Sequence, residues 1–530
     1  MEPRSVGYDS RSRRRIGFPF CRFTAGRHET QPYGVITRPR WHSVVPIVTA
    51  TTVIGVWVGR SPVAGPLVSG LVALGATLGV RIVFGRVSAT RRMLAGLVIV
   101  VALVAMWRGR EAWSAPVVET SERLADTVVL VGDPDPVGRG VRIVVAHDGR
   151  RLEGFAYGRS ATRLRSLLAG ERVRVEGLIE PLDEARRRRA LVRHVVGRIR
   201  IDSVDSIRPA SSTRVTEAVN RVRRLLEAGT RTLTDDDRSI LSGLLYGDDR
   251  MQDSDIVDMF RRSGLAHLTA VSGQNVAYLL AALSPVLTRI RPGPRTLMVV
   301  TVLLAFVLLT RAEPSVIRAS LMSGISVSSR AWGSPMSSIT VLCCSVTVGV
   351  LVDPMLVWSV GWWMSVAGCA GLVVVAPLIR GDRRRSLFAE LLLTTVAAQT
   401  TVAIVSVAVF GWPSAWSVPA NLLAAPVAGV VMLIGLPAVL LAGVVPDGAA
   451  SILCWPAVLA SRWVVGVAHV GSSMASTRWF DASITVGVGL AVVGVIGMRI
   501  APRRCGNLRT WESSSSTVPT KSSSPRKSLA

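Results

Sequence analysis

Polar side chains gather at the start of an apolar segment near the middle of the chain. Residues 261–280 read RRSGLAHLTAVSGQNVAYLL and place His267, Ser272, Gln274 and Asn275 in the first turns of this segment. Polar groups at membrane depth need partners inside a helical bundle or a wet cavity, because lipid supplies none. The pattern predicts a segment that lines a polar path.

Three later apolar segments each carry a further polar candidate, namely Arg318, Gln399 and Asn421. A single polar residue of this kind more often forms a hydrogen bond between helices than lines a conduit. The residues taken together are therefore stronger evidence for a path than any one of them. Gly273 joins the set because a residue without a Cβ allows a helix or a substrate to approach closely. We predict a translocation path lined by His267, Ser272, Gly273, Asn275, Arg318, Gln399 and Asn421.

The sequence offers little for catalysis or metal binding. His267 and Ser272 could act as base and nucleophile, but five positions on one helix place them about 140° apart. No two of the six histidines lie within three residues of each other, so local spacing builds no zinc cluster. A Walker A site needs a Gly-Lys pair, and neither Lys521 nor Lys527 follows a glycine. We expect that the protein has no catalytic residue, metal or cofactor and is not an enzyme.

The composition is that of a membrane protein. Of 530 residues 49% are hydrophobic, and long apolar runs alternate with Arg-rich stretches. The net charge of +27 suits anionic partners, either lipid headgroups or nucleic acid, and charge alone does not separate them. Nearly all basic residues are Arg. A GC-rich genome would explain this preference as well as selection for phosphate contacts would.

The apolar runs predict about twelve membrane segments in a polytopic α-helical protein. Both termini and most Arg clusters then lie in the cytoplasm, as the positive-inside rule requires. Residues 314–329 contain Arg318 and could be re-entrant, and Pro419 and Pro426 around Asn421 suggest a broken helix. The predicted segments are 44–58, 62–80, 94–107, 265–287, 296–310, 314–329, 336–352, 355–379, 387–410, 418–444, 449–470 and 483–500.

Residues 109–208 are polar enough for an extracytoplasmic domain. Five alternating runs predict strands, and leucines at helical spacing in 160–168 predict a helix before the fourth strand. This order is that of an all-β OB-like fold. The connection before the fifth strand carries Arg186, Arg187, Arg188 and Arg189, where OB-folds often bind oligonucleotides. A solvated basic loop that contacts lipid headgroups is the alternative.

Two amphipathic helices are predicted between this domain and the later membrane segments, at 215–226 and 254–264. Arg221 and Arg224 lie opposite the apolar face of the first. The chain thus divides into a basic cytoplasmic tail (1–43), N-terminal membrane helices (44–108), an extracytoplasmic OB-like domain (109–208), amphipathic linker helices (209–264), a membrane bundle (265–500) and a disordered cytoplasmic tail (501–530).

Four sequence blocks resemble the competence domain of the ComEC family, membrane proteins that carry DNA into transformable bacteria. They are ILSGLLYGDDRMQDSDIVDMFRRSGLAHLTAVSGQNVAYLL at 240–280, PSVIRASLM at 314–322, DPMLVWSVGWWMSVAGCAGL at 353–372 and FGWPSAWSVPANLLAAPVAG at 410–429. The resemblance also implies an OB-like extracytoplasmic domain. Longer members continue into a metallo-β-lactamase-like domain with an H-x-H-x-D-H motif, which this sequence lacks, so we expect a short form.

The resemblance implies a channel of the cytoplasmic membrane that takes up transforming DNA and passes a single strand inward. A permease for a smaller anionic solute is the alternative. The membrane potential opposes inward movement of an anion by about 2.3 kcal/mol per charge per 100 mV, so an ATP-driven translocase or helicase is an expected partner. The other expected partners are a DNA receptor outside, a separate nuclease, membrane lipid and further copies in a homo-oligomer.

Overall fold

A computed structural model describes residues 44–60, 89–269, 271–380, 386–474 and 477–500. The described residues form a β-barrel and a helical bundle that contact each other. Predictions for 1–43, 62–80 and 501–530 lie outside the described residues.

Alternation of apolar and polar residues builds the barrel strands. In the sequence ERVRVEGLIE the side chains of Val173, Val175 and Ile179 are buried, while Arg172 and Arg174 are exposed. A strand places successive side chains on opposite faces, so this pattern gives one core face and one wet face. The strands are β1 (Glu122–Leu130), β2 (Asp135–Val137), β3 (Gly140–His147), β4 (Arg150–Ala156), β5 (Glu171–Glu180) and β6 (Gly197–Ser211).

The sheet closes on itself. Strand β1 pairs antiparallel with both β3 and β5, β4 pairs with β3, and β6 pairs antiparallel with β5 and parallel with β4. The three-residue β2 adds only to β3. The five predicted strands are therefore all present, and they form a closed barrel. The predicted helix lies at Gly158–Arg165, between β4 and β5.

The predicted arginine loop is a helix, Glu184–Val192, so the loop prediction was wrong. Arg and Ala are strong helix formers. Asp183 occupies the N-cap position and Glu184 the first turn, where a negative charge favours the helix dipole. The polarity of this stretch does not by itself distinguish a loop from an exposed helix.

Helices form the rest of the described chain, and we number them in order. They are α1 (Val45–Gly59), α2 (Ala89–Trp113), α3 (Gly158–Arg165), α4 (Glu184–Val192), α5 (Arg214–Gly229), α6 (Asp235–Tyr246), α7 (Ser254–Arg262), α8 (Ala266–Thr269), α9 (Gly273–Leu287), α10 (Pro292–Leu309), α11 (Pro314–Ala331), α12 (Ser338–Val352), α13 (Val360–Arg380), α14 (Leu387–Val409), α15 (Ser417–Val430), α16 (Leu436–Ala442), α17 (Asp447–Ser473) and α18 (Arg478–Ile500).

Within the described residues, five helical stretches are long and apolar enough to cross a membrane. They are α10, the apolar parts of α13 and α14, the continuous run from α15 through α16, and α17. Helices α1 and α12 and part of α18 are apolar but shorter. The predicted count of about twelve is thus not confirmed. One reason is that the helix predicted over 265–287 begins only at Gly273.

Proline positions predicted the helix boundaries only in part. Helix α11 is regular and starts with Pro314 at its first position, where the missing amide costs nothing. Helix α15 runs through Pro426 without a break around Asn421, so the break predicted there was misplaced. The irregularity comes later, as a π-helical turn at Val431–Gly435 that leads into α16.

The segment between barrel and bundle contains three helices, one more than predicted. Helix α6 is almost entirely buried and packs against α17 and the π-helical turn. Its Asp237 carboxylate accepts from Arg462 of α17 at 2.9 and 2.7 Å. Helix α6 is therefore part of the bundle core rather than a surface linker.

Candidate functional site

The polar segment at 265–275 is a broken helix. Gly264 ends α7 with φ at +75°, the short α8 follows, and α9 begins after Ser272. The Ser272 hydroxyl accepts from the amide of Gln274 at 3.2 Å and so caps α9. His267 and Ser272 therefore lie on different elements, and the prediction of one continuous helix was wrong.

Asn275 joins this break to α6. Its side chain is only 9% exposed, and its amide donates to the carbonyl of Leu244 at 3.1 Å. The Asn275 carbonyl oxygen accepts from the Ser272 hydroxyl at 3.3 Å. Both polar ends of Asn275 are thus satisfied inside the protein, which fixes the start of α9 against α6.

Arg318 is a buried cation without an acidic partner. It is 4% exposed on α11. Its Nε donates to the Ser365 hydroxyl at 2.8 Å, and its Nη1 contacts the sulfurs of Cys369 and Met322 at 2.7 and 3.1 Å. Among the described residues no carboxylate pairs with this guanidinium. Neutral groups, two of them weak sulfur acceptors, hold its charge.

Gly273 lets Arg318 reach the start of α9. A Cβ at position 273 would lie 2.5 Å from Arg318 Nη2 and 3.1 Å from the Cβ of Ala319. The hydroxyl of Ser315 also donates to the carbonyl of Val271 at 2.7 Å. Helix α11 thus packs directly on the helix break and directs the guanidinium toward the first residue of α9.

The structure brings together Ser272, Gly273, Asn275 and Arg318 of the predicted path. Asn421 is buried elsewhere, where its amide donates to the carbonyls of Ser417 at 2.7 Å and Gly264 at 3.5 Å. The remaining two predicted residues are the exposed His267 and the half-buried Gln399. In the part of the chain that the structure covers, no hydrogen bond joins either of them to the other five.

The four predicted DNA-binding arginines are exposed on α4, next to the bundle. Arg186 lies 3.9 Å from the N-cap residue Asp183 and Arg187 lies 3.5 Å from Glu184, whereas Arg188 and Arg189 form no ion pair with any described residue. Helix α4 packs against the turn Pro354–Trp358 that precedes α13. The basic helix thus lies where barrel and bundle meet.

A second barrel contact lies just after α4. The imidazole Nε2 of His194 is 3.2 Å from a carboxylate oxygen of Asp353, the residue that caps the turn before α13. Both side chains are partly exposed. The pair therefore links the barrel to the bundle at a place that solvent reaches.

A largely buried ionic cluster that no sequence pattern predicted lies at the junction of barrel and bundle. We call it the junction cluster and define it as Asp133, Arg223, Asp248, Arg250 and Arg311. Asp133 follows β1, and its carboxylate accepts from Arg311 at 3.0 and 2.7 Å and pairs with Arg223 at 2.9 Å. One barrel side chain thus contacts both α5 and the turn between α10 and α11.

Arg223 lies at the centre of the junction cluster, 2% exposed. Its Nη1 donates to the carbonyl of Leu309 at 2.8 Å, and its Nη2 lies 3.4 Å from Asp248. The guanidinium also stacks over the ring of Tyr246 at 5.2 Å. One signal could have found it: Arg223 stands between Val219 and Leu226 at helical spacing, on the apolar side of α5.

The junction cluster is held ionised by its own charges. Burial of the Asp133 carboxyl opposes ionisation, but Arg223 and Arg311 outweigh burial and lower its pKa to about 2. Burial likewise opposes ionisation of Asp248, and the hydrogen bonds from Arg250 still lower its pKa. Both carboxylates are therefore charged throughout the physiological range.

These features define a multi-pass membrane protein with a closed barrel attached to one end of its helical bundle. Residues 244–504 match a protein family described as "Competence protein". The chain is also similar to ComE operon protein 3 of Bacillus subtilis (strain 168), with 28% identity over 196 residues. The chain is thus similar to competence proteins over residues 244–504, just under half of its length.

The match to the Bacillus relative covers 37% of this chain and 25% of the relative. The matched region thus spans about a quarter of the length of the Bacillus protein. No solved structure matches this chain.

Proposed function

We propose that this protein is a membrane channel that takes up DNA and passes a single strand into the cytoplasm. The family match carries the proposal, because residues 244–504 include the helix break and Arg318. Arg311 and Asp133 join the turn before α11 to the barrel, so α9 and α11 both begin at the barrel end. A strand delivered by the barrel would therefore enter the bundle at the end that holds Arg318 and the start of α9.

The barrel, in this proposal, is an OB-fold that collects DNA outside the membrane. The closed order of β1, β3, β4, β6 and β5, with β4 and β6 parallel and α3 before β5, supports that assignment. Helix α4 occupies the connection before the last strand, in the region where OB-folds often bind oligonucleotides. Its unpaired Arg188 and Arg189 would hold phosphates through charge, without reading bases.

The termini would face the cytoplasm in this orientation, with the ATP-driven motor on the same side. A separate nuclease would remove the second strand, and a receptor would present DNA to the barrel. A permease for a smaller anionic solute is the second candidate, because the unpaired charge of Arg318 would serve a small anion as well.

Uptake by cells that lack the gene tests the proposal. Cytoplasmic recovery of labelled double-stranded DNA should be lost while surface binding persists, and the wild-type gene should restore it. The variant with Arg186, Arg187, Arg188 and Arg189 all changed to Gln should restore much less, because helix α4 loses its phosphate contacts.

A matched control keeps the barrel but removes charge elsewhere. Arg172→Gln with Arg174→Gln removes two exposed charges from β5 and should leave uptake near the wild-type level, whereas Arg188→Gln with Arg189→Gln should reduce it. Normal DNA entry in the deletion strain would refute the DNA channel and favour the solute permease. Full activity of the four-arginine variant would remove α4 from the DNA route.

A further inference from the structure

Arg318 carries a charge that the described protein does not neutralise. Removing a cation from water costs several kcal/mol unless a partner compensates. Ser365, Cys369 and Met322 are neutral and occupy only Nε and Nη1. Nη2 has no acceptor among the described residues, yet it is not sealed from solvent as the Nε of Arg223 is. One face of a buried guanidinium is thus left for a ligand.

The N-terminus of α9 lies against the same face. This helix has fifteen residues, so its first turn carries a partial positive charge. Ser272 satisfies the amide of Gln274, whereas the amide of Gly273 has no acceptor among the described hydrogen bonds. Because a Cβ at Gly273 would lie 2.5 Å from Arg318 Nη2, the guanidinium and the helix start are immediate neighbours. Two positive groups are held together without an anion.

We propose that Arg318 and the N-terminus of α9 bind one phosphate oxyanion of the passing single strand. Guanidinium groups and helix N-termini both favour phosphate, and neither contact depends on the base. The neutral groups around Arg318 keep the site cationic, and a single phosphate contact is weak enough to release the strand. This inference rests on the proposed function and adds a point at which the bundle holds the backbone.

A binding titration tests the proposed phosphate site. The purified full-length chain is placed in phosphatidylcholine nanodiscs, and a fluorescent single-stranded oligodeoxynucleotide is titrated at several salt concentrations. Arg318→Gln should weaken binding at least about tenfold. It should also reduce the slope of log K against log[salt] by about 0.7, the value for one phosphate contact to a single strand. Arg295→Gln, which removes a charge from the far end of α10, should change neither quantity.

Two further variants keep the test valid if Arg318→Gln does not fold. Gly273→Ala retains the charge but pushes the guanidinium away, so binding should weaken by a similar factor. Arg318→Lys should keep the salt slope, because a point charge remains. An oligonucleotide with an uncharged methylphosphonate backbone should bind wild type and Arg318→Gln equally.

The outcomes separate the site from the channel. If wild type binds the strand and Arg318→Gln has the same affinity and slope, the phosphate site is refuted while the channel stands. If wild type binds no strand at all, both fail. If added anionic phosphatidylglycerol abolishes the difference between wild type and Arg318→Gln, a lipid headgroup occupies the site and the strand does not.

Discussion

Arg223 stands on the buried side of an amphipathic helix, where an apolar residue would be expected. Its neighbours compensate the charge: Asp133 and Asp248 are within ion-pair distance, and the Leu309 carbonyl accepts a hydrogen bond. Buried ion pairs add little net stability compared with apolar packing, but removing one partner leaves the others unpaired. Arg223 therefore fixes which surfaces meet rather than how strongly they adhere.

Replacement of Arg223 should be costly because two buried carboxylates lose a partner at once. We expect Arg223→Gln to destabilise the protein by about 3–5 kcal/mol, measured as thermal unfolding in detergent. Arg221→Gln is the matched control on the same helix, since the Arg221 side chain is 79% exposed and, among the described residues, forms an ion pair only with Glu217. It should cost less than about 1 kcal/mol. Equal effects of the two changes would contradict the role of the junction cluster.

Asp133 gives this contact a defined pH dependence. Its pKa falls from 3.8 to about 2 on folding, so its stabilising effect is complete above 3.8 and is lost as pH falls toward 2. At neutral pH, Asp133→Asn should cost about 2 kcal/mol. The difference in melting temperature between wild type and Asp133→Asn should be constant from pH 7 to about 4.5 and shrink below that. A difference that begins to shrink near pH 6 would assign the effect to another group.

Residue types predicted part of the site and not the rest. Ser272, Gly273, Asn275 and Arg318 were chosen by polarity and motif, and they do lie together. The junction cluster was not foreseen because its pairs join distant positions, such as Asp133 and Arg311, which are 178 residues apart. Nothing in a single sequence pairs one particular Asp with one of sixty arginines.

At the level of elements, the break before α9 depends on one hydroxyl. Ser272 replaces the missing intrahelical acceptor of the first turn, so Ser272→Ala should cost about 1 kcal/mol. Ser337→Ala is a matched control, because Ser337 also caps a helix, accepting from the amide of Thr340, the third residue of α12, at 3.3 Å. Both variants should lose similar stability in thermal unfolding. Only Ser272→Ala should also reduce DNA uptake, and equal uptake would make Ser272 a cap alone.

Strands were easier to predict than membrane segments. Alternation along β5 depends on local sequence, because one face is buried and the other is wet. The sequence of an apolar helix, by contrast, has the same high hydropathy whether lipid or protein surrounds the helix. Helix α6 shows the difficulty: its apolar run packs inside the bundle, and only twelve residues are helical. The membrane count depends on such distinctions, which hydropathy does not make.

The whole molecule holds its barrel at two separate places. The junction cluster joins the loop after β1 to α5 and to the turn before α11, with the side chains of Arg223 and Asp248 buried at its centre. At the second place, beside α4, the imidazole of His194 contacts the carboxylate of Asp353. Two contacts restrict rotation of the barrel far more than one does. Helix α4 is therefore presented to solvent in a fixed orientation relative to the start of α9.

Closure of the barrel also decides how copies of this protein can associate. Strand β1 pairs with β5 along most of its length and with β3 at Val129 and Leu130, so the five main strands close on themselves. The short β2 is the edge of the described sheet, and Pro136 at its centre lacks the amide that a new strand would need. Strand addition is thereby disfavoured. Copies of this protein are therefore not expected to associate through the edges of their barrels.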